Sequence, residues 1–255
     1  MANEVANKAS ASLALFGDDA KGFDNMTQDD LALPFVRILG QLSPQVTAGD
    51  PKYIEAAKPG MIYNTVTNEL YDGKKGIKVI PCYYKKDYPE WSDRGDGPGA
   101  PVAVHMPNSP VIGTGKRDGS KIRLPNGNYL EETASYFVMV ETKSGGYTPS
   151  LITMKSTQLN VSKKWNSMMK TTQIADGKGG FAIPPMHGVV YNLTSTLQKN
   201  DKGSWYGWVV TMDRILDQKD KSLYLSAKEF GGNVSKGNVQ TKADVEEKAK
   251  DSTPY

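Results

Sequence analysis

The sequence predicts a mainly β fold: an OB-like five-stranded Greek-key barrel with a helix between strands three and four, long loop insertions and flexible termini. Three observations predict it. The 255 residues include 25 glycines and 15 prolines, which favours short strands joined by turns over long helices. Runs rich in β-branched and aromatic residues recur between turn signals. One segment of helical period falls between the third and fourth of the assigned strands, where an OB barrel keeps its helix. A β-sandwich with a peripheral helix gives a similar string.

The elements follow in order. Residues 1–30 are polar and read as a flexible acidic arm, with a short helix near residues 9–16. Leu33-Pro34-Phe35-Val36-Arg37-Ile38-Leu39 is a compact apolar segment expected to pack on the core. Residues 61–70 and 77–88 read as strands one and two, a hairpin around Asp72-Gly73-Lys74-Lys75-Gly76. Pro81 inside the second run implies an edge or a bulge. Residues 92–128, rich in Gly and Pro, read as a long surface excursion with a small hairpin around 102–105. Residues 129–141 supply strand three, and 149–155 a short extension of it. From Ser156 the period becomes helical, with Leu159, Val161, Trp165, Met168 and Met169 on one face and Ser156 or Thr157 as N-cap. Residues 189–198 and 205–214 form a second hairpin, strands four and five, around Lys199-Asn200-Asp201-Lys202-Gly203. A short helix over 222–230 closes at Gly231-Gly232. The domain therefore covers 31–235, and a disordered, mildly acidic tail covers 236–255.

Composition bounds the function. No stretch approaches 18 apolar residues, so no membrane helix is expected. The N-terminus lacks a basic stretch followed by an apolar run, so no signal peptide is read. The single cysteine, Cys82, excludes a disulfide framework and multi-cysteine metal sites. A buried structural thiol is its simplest reading. His105 and His187 lack metal-ligand spacing. No phosphate-binding Gly-Lys-Ser/Thr loop, zinc-protease helix or serine-nucleophile elbow occurs. Asp93-Arg94-Gly95-Asp96-Gly97 lacks the further oxygen ligands of a calcium loop. No enzyme and no cofactor are expected.

Charge points elsewhere. Residues 1–30 carry six carboxylates against Lys8 and Lys21, giving −4, and residues 243–255 carry −2. The total is +3, so the body, 31–242, holds +9. Residues 74–86 and 142–175 contain lysines and no Asp or Glu. Aromatic residues lie among them. Cations neutralise phosphates and aromatic faces stack on unpaired bases, which is how single-stranded nucleic acid is held without sequence preference. The residues expected to form this surface are Lys74, Lys75, Lys78, Tyr84, Lys85, Lys86, Tyr88, Trp91, Arg94, Lys155, Lys163 and Lys164. Each of them taken alone fits a structural or solvated role. Strand alternation sends Tyr83 and Tyr84 to opposite faces, so at least one belongs to the core, and Trp165 on an amphipathic helix fits the core better than a ligand platform.

The segments LPFVRILGQLSPQ (33–45), PGMIYNTVTNELYDG (59–73) and GIKVIPCYYKKDYPEW (76–91) resemble a family of bacteriophage single-stranded DNA-binding proteins. The resemblance implies an OB-like fold, single-stranded DNA as partner, a role in phage replication or recombination, and the cytoplasm of an infected bacterial host cell. Such proteins often end in an acidic tail whose terminal aromatic contacts phage replication proteins. Here DVEEKAKDSTPY ends in Tyr255, with Lys248 and Lys250 diluting the charge. The alternatives are a phage structural or accessory β-barrel that mediates protein contacts, and a nuclease or recombination enzyme.

Overall fold

One 15-residue strand, β4 (Ile77–Trp91), organises the chain. In the computed structural model, residues 33–93, 101–201 and 203–239 are described. All of them fall in a compact unit beginning at Ala32. The acidic arm over 1–30, Arg94 and the tail from residue 240 lie outside the described residues.

The first half of β4 pairs with β9 (Thr133–Glu141) on one edge and with β13 (Val189–Asn200) on the other. β9 pairs with β10 (Tyr147–Lys155), and β13 with β14 (Gly203–Ile215). The five strands run antiparallel in the order β10-β9-β4-β13-β14 and curl into a half-barrel. Ile77, Val79, Tyr136, Val138, Ile152, Tyr191, Leu193 and Trp208 fill its inner side. The register of β4 on β9 shifts between Pro81 and Tyr83, so Pro81 does lie at a bulge. The extra residue turns Cys82 and Tyr83 to the outer side and Tyr84 inward, where its ring lies 5.1 Å from that of Tyr136.

α2 (Leu159–Thr171) closes the open side. Trp165 is fully buried, stacked on Tyr136 at 4.2 Å and edge-on to Tyr191 at 5.6 Å. Oxygens of Ser162 and Asn166 surround the Tyr136 hydroxyl at 2.8–3.0 Å. Neither Ser156 nor Thr157 caps this helix. Gln158 holds that position and uses its side chain otherwise, accepting the Trp208 N–H at 2.8 Å and so tying the helix start to β14.

The expected first hairpin is not formed. β2 (Ile62–Asn64) pairs with β1 (Val36–Ile38) and β3 (Leu70–Tyr71) in a separate three-stranded sheet. Phe35 bridges Leu151, which sets that sheet beside the edge of β10, and Val36 and Ile62 join the half-barrel core. Strand one of the main sheet is therefore β4, and β10, of which the sequence reads 149–155 as an extension, is a full third strand. The turn at 72–76 instead docks on β13. The Ser195 N–H donates to the Gly73 carbonyl at 2.8 Å and its hydroxyl donates to the Gly60 carbonyl. A Cβ at Gly73 would overlap Gly60, so only glycine allows this approach.

On the outer side, α3 (Lys221–Ser235) covers Ile80, Cys82, Met139 and Val190. It runs through Gly231-Gly232 instead of ending there, because the Gly231 position lies against the Cys82 carbonyl and has no room for a Cβ. The Arg214 guanidinium beside Asp220 pulls that carboxyl down to about 2 and anchors the turn that leads into α3. Val239 packs near Val234, Phe137 and Leu151, so the chain beyond α3 remains docked at least that far.

The excursion after β4 is structured. β5 (Ala103–His105) and β8 (Tyr129–Glu131) pair with the far end of β4, and β7 (Lys121–Arg123) and β6 (Lys116–Asp118) continue outward from β8. Tyr88, Ile122, Leu124 and Leu130 form its own small core, capped by α1 (Val111–Thr114). β11 (Ile174–Ala175) and β12 (Phe181–Ala182) make a further short hairpin.

Trp165→Ala should lower unfolding free energy by roughly 3–5 kcal/mol, as for other large buried aromatics. Gly231→Ala should also destabilise, by about 1–3 kcal/mol, although alanine favours helix by ~1 kcal/mol, because the added methyl pushes α3 off β4. Urea denaturation of both variants checks this. A neutral or stabilised Gly231→Ala would contradict the close approach.

Candidate nucleic-acid interface

The structure distributes the expected basic surface along β4 and pairs much of it. Lys74 and Lys75 are exposed on the turn before β4, where their N–H groups donate to the Asp72 carboxylate at 2.8 and 3.3 Å. Lys78 meets both oxygens of Asp213, at 2.9 and 3.0 Å. Lys85 pairs with Asp87, Lys86 with Glu132 and Lys155 with Glu131, at 2.9, 3.2 and 3.0 Å. Eight residues of strand separate Lys78 from Lys86, about 26 Å at 3.3 Å per residue. These lysines therefore do not form one patch. Lys86 lies opposite Ala134 and Lys155 opposite Thr133, consecutive residues of β9 that face opposite sides of the sheet, so these two do not share a face either. Lys163 and Lys164 are exposed on α2. Tyr84 packs inside the half-barrel, and Tyr88 is buried in the excursion core, so neither offers a free face.

Trp91 occupies a different setting. It ends β4, half-buried and directly opposite Tyr129 on β8. Tyr129 is in turn opposite Arg123 on β7, and Arg123 is opposite Lys116 on β6. Directly opposed residues in antiparallel strands share a face. Trp91, Tyr129, Arg123 and Lys116 thus form one row across four strands, spanning about 14 Å at 4.8 Å per strand. Lys121, two residues along β7, lies on the same face with its Nζ 3.7 Å from the Tyr129 ring centre. The Arg123 guanidinium lies 5.6 Å from the same centre and donates to Asp93 at 2.9 Å and to Asp118 at 3.4 Å. Lys116 is exposed and has no carboxylate partner among the described residues. Two aromatic rings and three cations therefore share a face of an outlying sheet.

Sequence reasoning found Trp91 and missed Tyr129, Lys116, Lys121 and Arg123. The signal was present in KRDGSKIR, residues 116–123, which carry four cations and one carboxylate around a Gly-Ser turn. Each of its strands is only three residues long, too short for alternation to separate a strand from a loop.

A buried polar node holds this sheet to β4. Glu90 is 7% exposed on the face opposite Trp91. Its carboxylate accepts from the Asn128 amide at 2.6 Å and the Asn126 amide at 3.2 Å, and meets His105 Nε2 at 2.7 Å. The Asn128 hydrogen bond first, and His105 second, hold the Glu90 carboxyl below the usual carboxylate range. Burial pushes the Cys82 thiol up to about 12, which keeps it protonated and unreactive. Among the described residues, no three His, Cys, Asp or Glu side chains converge on a metal-sized site, and no helix is long and apolar enough to cross a membrane.

Residues 4–240 match a family model described as Pam3 phage gp34-like protein. No curated protein and no solved structure matches the chain.

Glu90 ties the excursion to β4 only while ionised. Its folded carboxyl lies below the unfolded value of about 4.3, so this stabilisation is present above that pH and is lost as pH falls through the lower folded value. Urea midpoints measured from pH 7 down to pH 3 should fall for the native chain. Glu90→Gln should start lower at pH 7 and lose less over the same range. Parallel curves for the two proteins would remove Glu90 as the source.

Proposed function

We propose that this chain, which belongs to the Pam3 phage gp34-like family, is a single-stranded DNA-binding protein. It coats exposed strands without reading their sequence, in replication or recombination, in the cytoplasm of the infected host cell. The row of Trp91, Tyr129, Arg123 and Lys116, with Lys121 beside it, carries the reading. It joins stacking surface to positive charge over a span of several nucleotides.

The fold supports the same reading. The order β13-β4-β9-β10 is the fourth-first-second-third arrangement of a Greek key, and α2 follows the third strand. On that basis the half-barrel is an open OB barrel in which α2 and the β1–β3 sheet take the place of a β10–β14 ladder. The excursion then corresponds to the loop between strands one and two, which contacts oligonucleotides in OB folds. Lys86 and Lys155 lie beside it. Their carboxylate partners do not forbid phosphate binding, since exposed ion pairs are worth about 0–1 kcal/mol and yield to a stronger anion.

A second reading rests on β5. Val104 on it and Val102 and Met106 at its two ends alternate at 54%, 59% and 55% exposure, an apolar face suited to protein contact. An accessory protein that works through this face would self-associate or bind a partner and ignore oligonucleotides.

Titration with oligo-dT at several salt concentrations separates the two. Affinity should fall steeply with salt. Lys116→Gln and Arg123→Gln should each reduce the slope of log affinity against log salt by about 0.7. Trp91→Ala should weaken binding by roughly 1–3 kcal/mol. Absence of binding at low salt, or a salt-independent affinity, would overturn the proposal.

A further inference from the structure

The tip of the β13–β14 hairpin carries a second aromatic site that the basic row does not include. Trp205 stands opposite Gln198 near the start of β14, half-buried. Two clefts flank it. One, of about 350 Å³, is lined by Ser156, Thr157, Asn200, Gly203 and Ser204 as well as Trp205. The other, of about 390 Å³, lies toward Gly40, Leu42 and Tyr206. Both are at the small end of ligand-sized cavities, the scale of a single base or nucleotide rather than a larger cofactor. The first is walled by three hydroxyls and an amide against one indole. Flat heteroaromatic rings with polar edges match that chemistry: the ring stacks on the indole and the hydroxyls meet its edge.

Three further observations favour a nucleobase that arrives as part of a chain. Ser156 is held at φ 50°, a left-handed conformation rare for serine, and it forms part of the cleft wall. Lys155, the residue before it, reaches Glu131 at 3.0 Å, and Glu131 lies two residues along β8 from Tyr129. The cleft and the basic row are therefore linked through Lys155. Lys199 does not line the cleft but is exposed directly opposite Ser204, which does, one strand away from the cleft wall.

We propose that Trp205 receives one unpaired nucleobase in the Ser156–Thr157–Ser204 cleft, as a stacking site separate from the Trp91–Tyr129 row. The proposal rests on the single-stranded DNA reading and names a further part of that surface. It corresponds to the loop between strands four and five of an OB barrel, across the sheet from the excursion. Trp165 and Trp208 are buried out of reach of a base, so quenching by direct stacking belongs to Trp91 and Trp205.

The test uses the full chain and two probes: oligo-dT, and an oligonucleotide of equal length made of abasic sites. Trp205→Ala should weaken oligo-dT binding about 5- to 150-fold, the range for one lost base stack, with no change in salt slope. It should also narrow the preference for oligo-dT over the abasic probe. Trp205→Phe keeps a stacking ring. It should bind close to the native chain while removing one component of tryptophan quenching. Thr157→Trp fills the cleft without disturbing Trp205 and guards against an unfolded Trp205→Ala; it should weaken oligo-dT binding likewise. Native affinity in a folded Trp205→Ala or Thr157→Trp would overturn this site while leaving the basic row intact. A native chain that binds neither probe would overturn the wider reading instead.

Discussion

A curled antiparallel sheet that stops short of closing leaves two edges and an open apolar trough, and the stack of Trp165 on Tyr136 resolves that problem here. Burying an indole of this size is worth about 4–6 kcal/mol of apolar area. The position is fixed further by the oxygens around the Tyr136 hydroxyl and by Gln158 on β14. Everything at the open side depends on it. With α2 in place, β10 and β14 need no ladder between them, the β1–β3 sheet can dock beside β10, and the β13–β14 hairpin tip meets residues 156 and 157. The Trp205 cleft is a product of that closure.

A second constraint comes from β4. Fifteen residues of strand are more than the half-barrel can use, so the far end projects and must find other partners. β5 and β8 supply them, and the buried Glu90 carboxylate, with Asn126, Asn128 and His105 around it, secures the junction. Satisfying one face with Glu90, Tyr88 and Leu130 leaves the opposite face, with Trp91 and Tyr129, to meet the cations of β7 and β6. The division of labour between the two faces follows from strand alternation.

Charge in this chain is a lesson in the difference between local and tertiary neutrality. Residues 74–86 have no carboxylate among them, yet Lys78, Lys85 and Lys86 all end beside one. Asp213 comes from 135 residues away and Glu132 from 46. The hairpin over 116–123 contains its own Asp118, which Arg123 reaches at 3.4 Å, and still presents Lys116 and Arg117 without ion-pair partners among the described residues.

Much of the framework was legible in the sequence. The mainly β class, the helix after Ser156, the β13–β14 hairpin and the bulge at Pro81 each follow from short-range signals: residue period, turn residues and the missing proline N–H. Trp165 as core followed from helical spacing. What local signals could not supply was pairing. Residues 61–70 look like a strand beside 77–88, but β2 found β1 instead, with Tyr63 opposite Arg37 from far upstream, because Gly60 and Gly73 let the turn fold onto Ser195. The end of α3 could not be read either, since Gly231-Gly232 is the usual stop of a helix and only the closeness of Cys82 explains glycine inside one. The sequence by itself determined which segments are strands and where cations and aromatics are dense. Tertiary structure alone decided which strands meet, and therefore which lysines are neutralised and which rings share a face with free charge. Those outcomes depend on contacts between residues far apart in the chain, and no local pattern encodes them.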